Sequence, residues 1–329
     1  MIPLNDLSRD VIDVKFSHPY LNGPQRNNFE IAFASYLGCD YFVGVGNGSD
    51  ALEIALRCLD SKRVGVTPNA GGYGTLAVLN CGATPVFVDV DDNLCMSDDL
   101  PDVDTIIVTH LYGQPTSYAI SEAKKRGIRV IEDCSHAHGA ETFNKKVGTL
   151  GDLGVFSFYP TKNLGAYGNA GGISCSSKYV DRIRALKQYG WSDKYHIDYA
   201  HGRHSEMDEI QAKVLLNKLP FLDYKNARRQ QIRNIYQERA PNINFIGNAN
   251  SVFHLCVILV ENREEFRSKL QGISTAIHYP ILDYQQKALK LKGDCPNAEY
   301  FNERILTIPC FPEMTEKEIE YVAISLANA

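Results

Sequence analysis

Along the first 160 residues, short runs rich in valine and isoleucine alternate with stretches whose apolar positions recur every three or four residues. "YFVGVG" (41–46) reads as a strand and "SDALEIALRCL" (49–59) as an amphipathic helix. "RVGVTP" follows as a second strand, "YGTLAVLNCG" as a second helix and "PVFVDVD" (85–91) as a third strand. "DTIIVTHLYG" and "AISEAKKRGIRVIEDC" repeat the alternation. Strands that are apolar at successive positions are buried on both faces, which predicts an α/β fold with a mainly parallel sheet. After about residue 154 the pattern loosens. The run 205–240 predicts long helices interrupted near Pro220, and the chain from "FHLCVILVENREEFRSKL" onward predicts a small α+β unit. The expected division is a large α/β domain over 1–218 and a small C-terminal domain over 219–329.

Composition narrows this only slightly. Of 329 residues, 44% are hydrophobic and 22% charged, ordinary for a globular protein. The formal net charge of −5 offers no basic face to nucleic acid or to an anionic membrane. No apolar run approaches the roughly 18 residues of a membrane span. "MIPLNDLSRDVIDVKF" has neither the cationic start nor the apolar run of a signal peptide. Nine dispersed cysteines without a CxxC pair fit reduced thiols rather than a disulfide frame or a zinc site. The expectation is a soluble, cytoplasmic protein of enzymatic size.

In an open α/β sheet, ligands sit beyond the carboxyl ends of the strands. Three such junctions carry candidate chemistry. "GVGNGSDAL" is a glycine-rich turn into a helix, where Gly48, Ser49 and the backbone amides can receive a phosphate. It equally reads as a tight turn capped by Ser49 or Asp50. In "RVIEDCSHAHGA" (129–140), Asp133 ends a strand and can hold a negative charge beneath a heterocycle, or simply cap a following helix. Cys134, His136 and His138 lack a second ligand cluster, so no metal is expected. "GVFSFYPTKNLGAYGNAGGI" (154–173) places Lys162 after a strand, with Ser157 five residues before it. A loop lysine is usually a solvated charge, but a buried ammonium loses hydration and shifts toward a reactive amine. A phosphate cradle, a carboxylate and an imine-forming lysine together are what pyridoxal phosphate requires.

The ordered set "FEIAFASYLG", "VGVGNGSDALEIALRCL", "GATPVFVDVD", "HLYGQ", "IEDCSHAHGA", "GDLGVFSFYPTKNLGAYGNAGG", "DEIQAKVL", "IHYP" and "ILTIPCFPEMTEKEIEYV" resembles the DegT/DnrJ/EryC1/StrS sugar aminotransferases over nearly the whole chain. "FYPTKNLGAYG" is most similar to enzymes that aminate 3-keto nucleotide sugars. The resemblance implies the aspartate aminotransferase fold (fold type I of pyridoxal-phosphate enzymes) and amino transfer from glutamate or glutamine to a nucleotide-linked keto sugar, a dTDP-keto-6-deoxy sugar being the expected acceptor. It makes Lys162 the Schiff-base lysine and general acid/base, pairs Asp133 with the pyridine nitrogen, and gives Gly48, Ser49 and Ser157 to the phosphate. His278 in "IHYP" and Tyr159 fall on the substrate side. A homodimer with shared active sites is implied.

Five positions depart from the family pattern. His136 stands where glutamine usually neighbours the cofactor's phenolic oxygen. His204 replaces an asparagine that reaches the partner's phosphate, and Glu206 replaces an arginine. Gly72 occupies the place of a ring-stacking aromatic, leaving Tyr73, one residue along, to take over. Asn169 replaces a frequent aspartate. Two alternatives share the cofactor: a regulatory protein with little turnover, and a sugar dehydratase, against which an intact Lys162 argues. A nicotinamide oxidoreductase is excluded by glycines at 44, 46 and 48, since the third falls one residue early for G-x-G-x-x-G.

Overall fold

The computed structural model describes residues 1–15 and 19–329; residues 16–18, the first of which ends the stretch read above for a leader, lie outside the described residues. The chain opens with α1 (Pro24–Leu37), which has proline in its first turn and a left-handed glycine, Gly38, as its C-cap. There follow β1 (Tyr41–Val45), α2 (Gly48–Cys58), β2 (Arg63–Val66), α3 (Tyr73–Asn80), β3 (Thr84–Phe87), β4 (Thr105–Thr109), α4 (Tyr118–Lys125) and β5 (Arg129–Asp133). A two-stranded ribbon, β6 (Glu141–Thr142) and β7 (Lys145–Lys146), precedes β8 (Leu153–Ser157) and β9 (Gly171–Cys175).

These strands form a seven-stranded sheet in the order β1-β9-β8-β5-β4-β2-β3. The pairs β8·β5, β5·β4, β4·β2 and β2·β3 are parallel, while β9 runs antiparallel to both β1 and β8. The sheet is therefore mainly parallel, with β9 the reversed strand. The predicted strand over 85–91 stops at Phe87. Asp89 is diverted: its carboxylate accepts the N–H groups of Asn297 and Ala298 at 3.0 and 2.9 Å. It thus satisfies the opening amides of a distant helix, α9 (Pro296–Asn302).

The two faces of the sheet are covered differently. On one, α2, α3 and α5 (Val180–Leu186) pack aliphatic side chains such as Leu52, Leu56 and Ile183 onto Val43, Val155 and Ile173. On the other, α1 and α6 (Glu209–Lys218) enclose Phe29, Phe33, Phe42, Phe156 and Phe158. Phe33 meets Phe42 edge-on at 4.8 Å between centroids and is fully buried. Beyond α5, a ribbon of β10 (Trp191–Asp193) and β11 (His196–Ile197) leads into α6.

A short 3-10 turn, Leu219–Phe221, holds Pro220 and separates α6 from α7 (Leu222–Arg239), as the sequence predicts. A second, antiparallel sheet of β12 (Asn244–Phe245), β13 (Cys256–Leu259) and β14 (Ile305–Ile308) packs against α7 and α10 (Glu316–Ala327), with α8 (Arg263–Lys269) in the β13–β14 connection. A further apolar cluster joins Leu111 and Tyr112 of the first unit to Val257, Leu282 and Phe301 of the second. No helix among the described residues is long and apolar enough to cross a membrane.

Candidate active site

A cavity of about 570 Å³ opens where the carboxyl ends of the parallel strands meet the second sheet. Its floor comes from the residues just after β1, β4, β5 and β8, and from Asn169 and Ala170, which lead into the reversed β9.

The turn into α2 forms one wall. Asn47 is the N-cap: its side chain accepts the Asp50 N–H at 2.8 Å and its carbonyl accepts that of Ala51 at 3.1 Å. Gly48 and Ser49 line the cavity at the helix opening, where the dipole favours an anion. Gly48 is required by close approach, since a Cβ there would lie 2.7 Å from the Cβ of Ser157. A Cβ on Gly171 would lie 2.4 Å from the carbonyl carbon of Asn47. The glycines let the helix opening, the end of β8 and the start of β9 converge into a cradle that fits a phosphate.

Asp133 and Lys162 occupy the floor. Asp133 is 7% exposed and its Oδ1 accepts the Ser135 N–H at 3.0 Å, so it closes a turn and caps no helix. Lys162 follows β8 in a turn fixed by its N–H on the Tyr159 carbonyl at 2.8 Å. Loss of hydration lowers its amine to about 8, partly opposed by the negative Asp133 nearby. A carboxylate and a depressed amine beneath a phosphate cradle match the donor set of pyridoxal phosphate.

Three histidines surround the amine. His136 is buried, and its Nδ1 accepts the Tyr112 N–H at 3.3 Å, which leaves the proton on Nε2. Its ring lies 4.3 Å from that of His254, tilted by 44°. The Asn163 amide donates to Asn226 Oδ1 and to the Val252 carbonyl at 2.9 and 3.0 Å, so its oxygen faces His254 Nδ1 at 3.1 Å. His254 therefore carries its proton on Nδ1 and keeps a bare Nε2. His278, half-buried, is held through Nδ1 by the Thr307 hydroxyl at 2.9 Å. Burial, with the Lys162 charge adding to it, pushes all three below the usual histidine range; they are neutral near pH 7.

At the rim, Tyr159 is exposed, and the exposed Tyr73 meets Tyr279 edge-on at 6.3 Å. Gly72, with φ of 81°, is the N-cap of α3. Asp283 reaches across from the second unit and accepts the Thr75 hydroxyl at 2.5 Å, while its Oδ1 has no partner. Burial raises this carboxyl to about 6.

Gly48, Ser49, Tyr73, Asp133, His136, Ser157, Tyr159, Lys162 and His278 thus line one cavity. His204 does not. It is exposed, stacked on Tyr189 at 5.3 Å, and outside the cavity of its own chain. Glu206 is likewise elsewhere: it accepts Lys187 Nζ at 2.8 Å, Arg26 Nη1 at 2.9 Å and Gln188 Nε2 at 2.8 Å. The negative charge at this position is matched within the chain by two cations.

The sequence reading missed His254 and Arg229, which both line the cavity. His254 stands just before β13 and Arg229 sits in the polar helix α7, so neither shows a local motif. Among the described residues, one buried cluster has metal-type donors: His110, Glu132 and Cys134. Both Glu132 oxygens are already committed, to the N–H groups of Gly148, Leu150 and Gly151 (2.7–2.8 Å) and to His110 at 3.0 Å. The Thr116 N–H occupies His110 Nδ1 at 2.9 Å. This cluster fastens β5 and has no lone pairs of Glu132 left to offer an ion.

Residues 5–327 match the family model described as the DegT/DnrJ/EryC1/StrS aminotransferase family. The chain is 36% identical over 327 residues to the UDP-N-acetyl-3-dehydro-alpha-D-glucosamine 3-aminotransferase of Acidithiobacillus ferrooxidans, covering 92% of this chain and 88% of that protein. It is 39% identical over 326 residues to the dTDP-3-amino-3,6-dideoxy-alpha-D-galactopyranose transaminase of Aneurinibacillus thermoaerophilus, with 92% and 89% covered. Among solved structures, S. venezuelae DesV in complex with a ketimine intermediate superposes with a TM-score of 0.89 at 32% identity, covering 95% of this chain and 91% of that one.

Proposed function

The chain belongs to the DegT/DnrJ/EryC1/StrS aminotransferase family, and from that premise we propose that it moves an amino group from glutamate or glutamine to a keto sugar linked to a nucleotide. The acceptor we favour is a dTDP-keto-6-deoxy sugar, supported by relatives named for dTDP- and UDP-linked sugars. Its cofactor is pyridoxal 5′-phosphate, which when bound supplies the electron sink that makes the carbon bearing the amino group acidic.

The observation that carries the reading is the pairing of Lys162, its amine lowered to about 8, with Asp133 on the floor of a phosphate-binding cavity. An amine with that pKa both takes and returns a proton near neutral pH, so Lys162 is assigned the proton transfers of both half-reactions. Asp133 holds the proton on the ring nitrogen. Gly48, Ser49 and Ser157 bind the phosphate, and the Nε2–H of His136 donates to the phenolic oxygen. Tyr73, at the rim of the cavity, would take over from the aromatic that Gly72 replaces. His278 and Tyr159 meet the sugar, and His204 serves the active site of a second copy in a homodimer.

The proposed domains are residues 1–218 and 219–329, between which the cavity lies. The proposed compartment is the cytoplasm, supported by nine unpaired thiols. The test is incubation of the cofactor-loaded protein with L-glutamate and a dTDP-3-keto-6-deoxy sugar, with both products followed by mass spectrometry. An amino sugar and an equal amount of 2-oxoglutarate are expected. Formation of 2-oxoglutarate with no amino sugar would reject this acceptor class, and absence of any amino sugar or oxo acid with glutamate and again with glutamine in its place would reject the transferase reading.

A further inference from the structure

Two of the histidines that line the cavity touch, with ring centroids 4.3 Å apart, and they are opposite tautomers. The Tyr112 N–H occupies His136 Nδ1 at 3.3 Å, so His136 offers a proton at Nε2. In His254 the order is reversed. The Asn163 amide nitrogen is committed to Asn226 Oδ1 and the Val252 carbonyl, so its oxygen takes the Nδ1 proton at 3.1 Å. His254 Nε2 is left with only a lone pair. Burial above all, then the neighbouring His136 and Lys162, keeps this ring from taking a second proton near pH 7.

That lone pair is open. Both ring nitrogens of His138 are sealed inside the protein without a partner, and so is Nε of Arg229, whereas His254 Nε2 is not sealed. The residue that fixes it, Asn163, follows Lys162 in the chain, so the acceptor and the reacting amine are set by one turn. The other acid-base neighbour on the floor, Asp133, is assigned above to the ring nitrogen of the cofactor.

A neutral acceptor does not attract a carboxylate, which brings it no proton. The reacting carbon of an amino acid bears a carboxylate and an aliphatic carbon, and neither can donate. The reacting carbon of a keto sugar is flanked by carbons that carry hydroxyl groups.

We propose that His254 reads the acceptor sugar, its Nε2 accepting the hydroxyl on a carbon next to the carbonyl. His254 is then a specificity-determining residue. This rests on the aminotransferase reading above and adds that the preferred acceptor keeps a hydroxyl beside its keto carbon. A pocket built around such an acceptor rejects the analogue without the hydroxyl, because the lone pair loses its water without a replacement.

Calorimetry on the cofactor-loaded full chain tests this with unreactive ligands. These are a dTDP-linked 6-deoxyhexose with hydroxyls at C2, C3 and C4, and its 2-deoxy and 4-deoxy counterparts. In the wild type, one deoxy ligand should bind about tenfold to a hundredfold more weakly than the parent. His254→Asn keeps a donor for Asn163 Oδ1 and removes Nε2, so it should bind that ligand and the parent alike. His254→Gln, whose amide oxygen falls near the place of Nε2, should restore part of the preference. In His254→Asn the KM for the keto sugar should rise by the same factor, with the half-saturating glutamate and glutamine concentrations moving far less. Equal binding of all three ligands by the wild type overturns the assignment even if no variant folds. So does a preference that survives in His254→Asn. Equal losses for glutamate and sugar would place Nε2 on the Lys162 amine, and a loss for glutamine alone would place it on the donor's amide; either overturns it. If the wild type binds none of the dTDP ligands, the acceptor proposed above fails by itself. The same three sugars on UDP then decide for His254, and binding of neither series overturns both.

Discussion

Glu132 and Asp133 are consecutive acids at the end of one strand, yet the molecule uses them in opposite ways. Glu132 is fully buried and takes four hydrogen bonds, three from backbone amides and one from His110. Asp133 points to the other side, accepts one turn amide and otherwise faces the cavity of Lys162. Successive residues of a strand face opposite ways, so one acid fastens the sheet to the loop over 148–151 while the next is free for chemistry. The difference lies in saturation: an acid whose lone pairs are all occupied is structural, and one with acceptor capacity left in a cavity is available to a ligand.

Substitutions at these two positions give the sharpest separation. Asp133→Asn should slow the glutamate half-reaction by about 10²- to 10⁴-fold while leaving the unfolding midpoint nearly unchanged, since the amide keeps one oxygen for the Ser135 N–H. Single-turnover absorbance and thermal unfolding together check this. Equal losses of rate and stability would erase the distinction. Glu132→Gln should do the reverse. Its amide turns a donor toward groups that already donate, costing about 2–4 kcal/mol of unfolding free energy by denaturant titration. The folded fraction should keep its rate per bound cofactor.

Weaker effects follow from titration. Because only a neutral amine attacks a carbonyl, the cofactor-free protein should capture added pyridoxal phosphate faster as pH rises, levelling off above about 8. A rate that keeps climbing toward pH 10 would place Lys162 in water. Asp283 provides the smallest change. Its carboxyl, raised to about 6, holds a proton in the folded state at pH values where the unfolded chain has released it. Stability from this group is therefore fully present below about pH 4 and lost as pH rises through 6, by about 3 kcal/mol. Asp283→Asn should flatten that part of the pH–stability curve, and an unaltered curve would mean the carboxyl titrates normally.

The legible part of the fold was the part carried by burial on both strand faces: β1, β2, β4 and β5 and the helices between them follow directly from continuous apolar runs. The reversal of β9 was not legible, because "GGISC" has the same pattern whichever way the strand runs. Gly48, Asp133 and Lys162 could be found because each interrupts a strand end with a residue of unusual chemical type. Arg229 gave no signal, since "NARRQQIR" reads as a solvated helix face and only the tertiary packing buries one of its arginines. The pairing of Glu206 with Arg26 spans 180 residues and turns an apparent charge reversal into a matched pair. His204 is exposed and lies outside the cavity lined by its own chain, a placement no local motif indicated.

The central claim is that the cavity of Asp133 and Lys162 performs amino transfer, and the absorption spectrum of the cofactor-loaded protein before and after L-glutamate tests it most directly. The account predicts a yellow band that bleaches on adding glutamate, and loss of that response in Lys162→Ala with cofactor still bound. A yellow band indifferent to both glutamate and glutamine, or a bleaching reaction that survives in Lys162→Ala, would contradict it.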